Sequence, residues 1–439
     1  MKKWKCIICS EIVEGSNPPE FCPVCKASSD KFVEINQEGK EFKTLSEDKI
    51  LILGGGIAGL TAAEAVRKRN PVCGIEIVSD EAVFCYSRPM LTKGIFSDLK
   101  AEDLFVKDYG WYEKNKVRLS LGVKAVEIDR ENKVVKMEDG GEKRYDKLIY
   151  ALGAEGNIPP IKGWDKENVK AIRKLQHVNE IKEIIDEIKD VAVIGGGILG
   201  LEAAWEMSRA GKDVTILEVG PRIMGRQLDD NGAMILLRNI EKRGGKVVSG
   251  IAIEEISGEE KASAVVLADG QKIKADLVII SAGNRANVQL AEAAGLEVDR
   301  LVVVDEKLQT SDPDIFACGD VAVSNGFSVG IWPQALAMGE VAGANAAGDD
   351  VVYQKVIPAN FFEGFGIQLF SIGDVGTNPE KNYKVLEVFD GDVNCYKVLY
   401  FDKDILCGGI LLGDTSAVEI LMEAYKNGAK YGDEELKKI

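Results

Sequence analysis

The chain has 439 residues, 46% of them apolar, which is too long for one compact domain, suggests two to four, and excludes wholesale disorder. Lysine and arginine number 55 against 71 acids, and the net charge of −16 argues against nucleic acid or an anionic membrane as partner. No run approaches 18 apolar residues, and Met1-Lys2-Lys3 leads into cysteines instead of an apolar signal core, so a cytoplasmic protein is expected.

Four of the nine cysteines, Cys6, Cys9, Cys22 and Cys25, fall in the first 25 residues as two Cys-x-x-Cys pairs. Each pair can aim two thiolates at one ion, and the intervening residues allow a hairpin, so a closed S4 site for zinc or a single iron is expected. With Trp4 before the first knuckle, Cys-Pro-Val-Cys as the second and Phe32-Val33-Glu34-Ile35 closing the segment, residues 1–35 resemble the rubredoxin-like domain at the end of rubrerythrins. The resemblance implies one iron (Fe-S4) that passes one electron at a time. That family usually has glycine after each knuckle, where this chain has Ser10 and Lys26. A left-handed turn there costs a non-glycine residue roughly 1 kcal/mol. A structural zinc ribbon remains the other reading.

Residues 36–48 are polar and aperiodic, as in a linker. Thirteen flexible residues would have an r.m.s. span of about 20 Å and a reach of about 45 Å. The strand-like run Lys49 to Leu53 follows, then Gly54-Gly55-Gly56-Ile57-Ala58-Gly59, a helix to Arg69, a strand Ile75 to Val78 and the acids Asp80 and Glu81. Glycines of this spacing let the backbone approach a pyrophosphate, the helix N-terminus attracts its charge, and the acid bonds a ribose hydroxyl. The unit recurs: a strand from Val191 to Ile194, Gly195-Gly196-Gly197-Ile198-Leu199-Gly200, a helix through Arg209, a strand Asp213 to Leu217, and Glu218. Two full copies predict two dinucleotide sites.

Other segments say which dinucleotide goes where. Tyr145 to Gly153 is expected to hold a strand, Pro159-Pro160 follows it, and Thr310 to Asp320 is expected to be a strand ending in Gly319-Asp320. On these residues the chain resembles the two-dinucleotide flavoprotein reductases of glutathione-reductase-like fold. Tyr86-Ser87-Arg88-Pro89-Met90-Leu91-Thr92-Lys93 narrows the resemblance to the rubredoxin, ferredoxin and nitrite reductase flavoproteins. The resemblance implies FAD on the first cradle and NADH on the second. It assigns the flavin ribityl chain to Asp320, the FAD phosphates to Arg88 and the flavin N5 edge to Lys93, the one residue given a catalytic role. Trp332-Pro333-Gln334-Ala335 would open a helix toward the flavin pyrimidine. Ala151, Gly153, Gly319 and Trp332 join the flavin set, and Gly283 joins the nicotinamide set. Glu218 would accept the ribose 2′-hydroxyl of NADH and repel a 2′-phosphate, although Arg222 lies close in sequence.

The Cys-x4-Cys of disulfide reductases is missing from Thr61 to Arg69. Cys85, just before Tyr86, is the single candidate for a cysteine beside the flavin, and a buried inert thiol is its expected state. His177 is expected to serve packing or the surface.

The expected fold is α/β: two Rossmann-like dinucleotide-binding domains plus an α+β C-terminal domain, preceded by the small metal module. The expected boundaries are 1–35 (module), 36–48 (linker), 49–160 and 285–350 (FAD), 161–284 (NAD) and 351–439 (C-terminal, with strands at Lys384 to Phe389, Tyr396 to Phe401 and Ile405 to Leu412). NADH gives two electrons together and an iron–thiolate centre takes one, so the flavin must stand between them. The resemblance implies rubredoxin, flavodiiron protein or rubrerythrin as acceptors. The alternatives are an NADH oxidase or disulfide reductase with a zinc ribbon, a nitrite reductase component, and a flavin-binding redox sensor without turnover.

Overall fold

The computed structural model describes residues 2–24, 27–35, 42–93, 100–390 and 395–439. The chain forms two compact units: Met1–Arg88 with Leu99–Glu155 and Asn284–Val356, and Pro89–Asp98 with Gly156–Gly283 and Ile357–Ile439. Among the described residues, no helix is long and apolar enough to cross a membrane.

The first unit is built on a five-stranded sheet. Its order across the sheet is Ile315–Ala317, Lys147–Tyr150, Lys49–Leu53, Gly74–Ser79, Val117–Leu121, and all pairs are parallel. Parallel strands are covered on both faces, which is why Ile50 to Leu53 and Leu148 to Tyr150 are unbroken apolar runs at 2% exposure or less. In chain order the arrangement is 3-2-1-4-5, so the crevice where strand order reverses lies between Lys49–Leu53 and Lys147–Tyr150. The helix Ile57–Arg69 starts at that crevice. The helix Trp332–Ala346 packs on it so closely that a Cβ on Gly339 or Gly343 would lie 2.5 Å from the Ala58 carbonyl oxygen or 2.2 Å from that of Ala62. At its N-terminal end the unit carries a three-stranded antiparallel sheet, with Lys2–Cys6 between Ile12–Gly15 and Phe32–Ile35.

The second unit repeats the plan. Its parallel sheet runs Val169–Ala171, Leu277–Ile280, Asp190–Ile194, Asp213–Glu218, Lys246–Ser249, and the helix Ile198–Arg209 starts where the order reverses. Its C-terminal part is a five-stranded antiparallel sheet, ordered Ala359–Gly364, Ile367–Gly373, Ile405–Leu412, Cys395–Asp402, Lys384–Asp390, with the helix Val418–Asn427 after it.

Three expectations change. The stretch Thr310 to Asp320 is a strand only over Ile315–Ala317. Upstream, Asp314 N–H donates to the Asp312 carboxylate and Asp312 N–H to Thr310 Oγ1, side-chain bonds that hold a turn in place of a ladder. The C-terminal sheet has five strands where three were expected. The expected linker is also tied down from Lys43: Lys43 Nζ donates to the Lys68 carbonyl at 2.6 Å, Thr44 N–H to that of Arg69 at 2.9 Å, and Asn70 Nδ2 to that of Ser46 at 2.8 Å. Residues 36–41 lie outside the described residues. His177 turns out to support a helix start, its Nδ1 accepting from the Arg173 and Lys174 N–H groups at the head of Leu175–Ile184.

Candidate dinucleotide sites and thiolate centre

In the first cradle Gly54 has φ +116°, and a Cβ there would sit 2.1 Å from the Ala151 carbonyl oxygen. A Cβ on Gly59 would be 2.1 Å from the Gly54 carbonyl oxygen, whereas one on Gly56 would meet nothing within 4 Å among the described residues. The outer glycines thus permit strand, turn and helix to pack, and the middle one faces open space. The second cradle is the same to within 0.1 Å: Cβ atoms on Gly195 and Gly200 would lie 2.2 and 2.0 Å from carbonyl oxygens of Ser281 and Gly195, and one on Gly197 would meet nothing within 4 Å among the described residues. A dinucleotide pyrophosphate needs this open backbone ahead of a helix N-terminus, so both cradles fit such a group. Ile57 and Ala58, and Ile198 and Leu199, supply the first turns of the two helices.

Around the first cradle, Gly319 (φ +81°) would bring a Cβ within 2.9 Å of the Ala58 Cβ, so the Gly319–Val321 turn and Asp320 lie against the head of the helix. Gly153 has φ +61° and open space where a side chain would stand. Asp80 is exposed. The Glu81 carboxylate accepts from Tyr86 Oη at 2.6 Å and from the Arg88 guanidinium. Burial opposes the charge on Arg88, but Tyr86 and Glu81 more than offset it and raise its pKa. Trp332 opens the helix Trp332–Ala346, and its indole Nε1 is buried without a hydrogen-bond partner among the described residues, an orphan donor at a helix N-terminus.

In the second unit the Glu218 carboxylate accepts from Gly196 N–H at 2.6 Å and Gly220 N–H at 2.7 Å, which fixes it at the strand end beside the cradle. Gly283 has φ +88° with open space beside it. Arg222 is engaged elsewhere, in an ion pair with Asp230 at 3.0 Å and a bond to the Leu228 carbonyl at 3.2 Å. Lys93 belongs to this unit, with its Nζ 3.4 Å from the buried carboxylate of Glu202, which also accepts from Thr92 Oγ1 at 2.6 Å. Sequence reading missed Glu202 because no local pattern marks a residue 109 positions from its partner.

The thiols of Cys6, Cys9 and Cys22 are buried, with their sulfurs within 4.8 Å of one another, and Cys9 and Cys22 Sγ are 3.4 Å apart. Tetrahedral metal–sulfur bonds of about 2.3 Å require sulfurs roughly 3.8 Å apart, so the cluster fits a thiolate-bound ion. Cys25 and Lys26 lie outside the described residues. Ser10 adopts the left-handed turn without glycine, at φ +64°, and its N–H donates to the Cys6 carbonyl at 2.9 Å. A glycine after the first knuckle is therefore not required for the turn to form.

Cys85 is buried, and burial pushes its thiol up to about 12, with Arg88 opposing the shift. At pH 8 only about one molecule in 10⁴ would carry the thiolate. The native protein is therefore expected to leave Cys85 unmodified by a thiol reagent at pH 8, and Cys85→Ser to keep its NADH oxidation rate within about twofold. Mass-spectrometric mapping of labelled cysteines checks the first outcome and steady-state kinetics the second.

Two cradles and a thiolate cluster in one chain define a two-dinucleotide oxidoreductase with an appended metal module. The family model described as pyridine nucleotide-disulphide oxidoreductase matches residues 48–339, and the chain belongs to that family, whose cofactors are FAD and a pyridine nucleotide. A rubredoxin NAD+ reductase C-terminal domain matches residues 358–429, and a rubrerythrin, rubredoxin-like domain matches residues 4–33. The NADH-rubredoxin oxidoreductase of Clostridium acetobutylicum is 31% identical over 373 residues, 84% of this chain and 93% of that protein. A crystal structure of NADH:rubredoxin oxidoreductase from the same organism aligns with a TM-score of 0.77 at 29% identity, covering 90% of this chain and all of that one. A Bacillus subtilis nitrite reductase [NAD(P)H] is 31% identical over 374 residues, 85% of this chain but 46% of that protein. The chain spans about half the length of this relative and of two further curated relatives, from B. subtilis and Escherichia coli.

Proposed function

We propose that the chain is an NADH-dependent flavoprotein reductase. In this reading it passes electrons through FAD to a four-cysteine iron centre on its own N-terminal module, and from there to rubredoxin or to oxygen- and peroxide-reducing proteins such as flavodiiron protein and rubrerythrin, in the cytoplasm. The observation that carries this reading is the pair of cradles with open middle glycines in a chain that also carries a buried cluster of metal-ligating thiols. When bound, FAD supplies the conversion of a two-electron hydride donor into single-electron steps.

The chain's own residues have separable tasks. Gly56 and Gly197 leave the backbone amides of the two helix N-termini accessible to pyrophosphates. Asp320 is the proposed acceptor for the ribityl hydroxyls, and Arg88, kept charged by Glu81, a proposed phosphate contact. Glu202 holds the Lys93 ammonium in a fixed place, and that positive charge would favour an anionic reduced flavin. Glu218 stands at the proposed adenosine-ribose position. Arg222, the nearby cation suited to a 2′-phosphate, is drawn off by Asp230, which supports NADH over NADPH. Glu218→Gln removes the negative charge and is expected to lower the NADH-to-NADPH ratio of kcat/KM about tenfold, near 1.4 kcal/mol. Steady-state kinetics with both nucleotides checks this.

Stopped-flow absorbance tests the whole reading. Mixing with NADH should bleach the flavin bands first and the iron–thiolate bands second. A purified protein that holds only zinc and shows no second phase would overturn the electron path.

A further inference from the structure

We infer that the metal module is seated on the exit face of the flavin unit, so that a separate carrier receives electrons from the module and is excluded from direct access to the flavin. The inference rests on the reductase reading above and deepens it.

Two observations meet at this face. Val24, inside the Cys22-Pro23-Val24-Cys25 knuckle, accepts a hydrogen bond through its carbonyl from Ser87 Oγ at 3.1 Å, and both residues are only 4% exposed. Ser87 belongs to the segment that leads to Arg88, while Val24 packs in the core that holds Cys6, Cys9 and Cys22. Trp332, at the head of its helix, packs against that thiolate core and against the core of the parallel sheet. A buried side-chain bond and a shared aromatic on one face are features of a specific interface.

The tether agrees with this. Because Lys43 onward is bound to the flavin unit, only residues 36–42 separate the module from its anchor, and seven residues reach at most about 25 Å. So short a link holds the module at millimolar effective concentration or above, well beyond what a free carrier would reach. The overall stoichiometry is unchanged: NADH and two oxidised one-electron carriers give NAD+, a proton and two reduced carriers.

Zinc in place of iron gives a module of the same tetrahedral thiolate geometry that cannot take an electron. The full-length chain, loaded with FAD, is prepared in iron and zinc forms and assayed with NADH against ferricyanide, which needs no docking, and against a purified rubredoxin. The zinc form is expected to keep ferricyanide reduction within twofold and to lose rubredoxin reduction at least tenfold. Undiminished rubredoxin reduction by the zinc form overturns the inference. Loss of ferricyanide reduction in both forms instead overturns the reductase reading itself. Ser87→Arg, which puts a long side chain into the buried contact, is expected to restore rubredoxin reduction to the zinc form. Hydrogen exchange supplies a readout independent of turnover. Backbone amides at 20–24 and 85–88 are expected to lose protection together in Ser87→Arg, by tenfold or more, with those of Ile50 to Leu53 unchanged. Unchanged exchange at both segments overturns the seating.

Discussion

Gly56→Ala is expected to fold normally and bind FAD more weakly, whereas Gly54→Ala is expected to be strongly destabilised. The two substitutions add the same methyl group two residues apart. At Gly54 the Cβ would lie 2.1 Å from the Ala151 carbonyl oxygen on a backbone at φ +116°, so strain and overpacking add to roughly 3–5 kcal/mol in a core that cannot move aside. At Gly56 the backbone is extended, with φ −78° and ψ −176°, and among the described residues no atom lies within 4 Å of the added carbon. The cost to the apoprotein is then at most about 1 kcal/mol, from the poorer helix cap. The added carbon instead occupies the space through which a pyrophosphate would approach, and a tenfold to hundredfold loss of affinity is expected, about 1.4–2.8 kcal/mol. Thermal unfolding of the apoproteins and the flavin-to-protein ratio separate the two results. Gly197→Ala should do to NADH binding what Gly56→Ala does to FAD, with flavin content unchanged. If Gly56→Ala keeps full FAD affinity, the first cradle is not the flavin site.

Asp229→Ala is expected to be the most destabilising single substitution outside the cradles. Asp229 caps the helix Asp230–Lys242 by accepting from Gly232 N–H at 2.8 Å. The same carboxylate accepts from Tyr400 Oη at 2.6 Å and from Tyr396 Oη, both on the strand Cys395–Asp402 of the C-terminal sheet. Burial and the neighbouring Asp229 charge both keep these phenols protonated. Removing the carboxylate costs about 1 kcal/mol for the cap and leaves two buried hydroxyls without an acceptor, at about 1–3 kcal/mol each. A total of roughly 3–7 kcal/mol should lower the unfolding midpoint by about 10–20 °C in a unit of this size. Tyr400→Phe, which leaves the carboxylate two donors, should cost only about 1 kcal/mol. Calorimetry of the three proteins checks the order, and equal midpoints for Asp229→Ala and Tyr400→Phe would refute the shared-acceptor account.

The dinucleotide architecture was legible because its signals are local. A buried parallel strand, a glycine turn, a helix and a second strand follow one another within about 30 residues, and each leaves its own pattern. The helices Ile57–Arg69 and Ile198–Arg209 end at the residues expected, since their last turns meet ordinary stop signals. The hairpin joining Ala359–Gly364 to Ile367–Gly373 left no such signal. Its two-residue turn is Phe365-Gly366, at φ +49° and +66°, in place of the asparagine or aspartate that such turns favour. Phenylalanine tolerates that conformation because its ring is fully buried, 5.1 Å from the Trp205 ring. Tertiary burial here outweighs a local preference.

The sequence by itself determined what the parts are: two nucleotide cradles, a thiolate module and the residue types that suit each. Hydrophobic period and glycine spacing are written into consecutive residues. Only the tertiary structure decided which side chains answer one another. Lys93 with Glu202, Ser87 with Val24, and Asp229 with Tyr396 and Tyr400 are 63 to 171 residues apart. Such contacts carry no sequence period, because they arise when separate elements are pressed together and each buried polar group must find a partner.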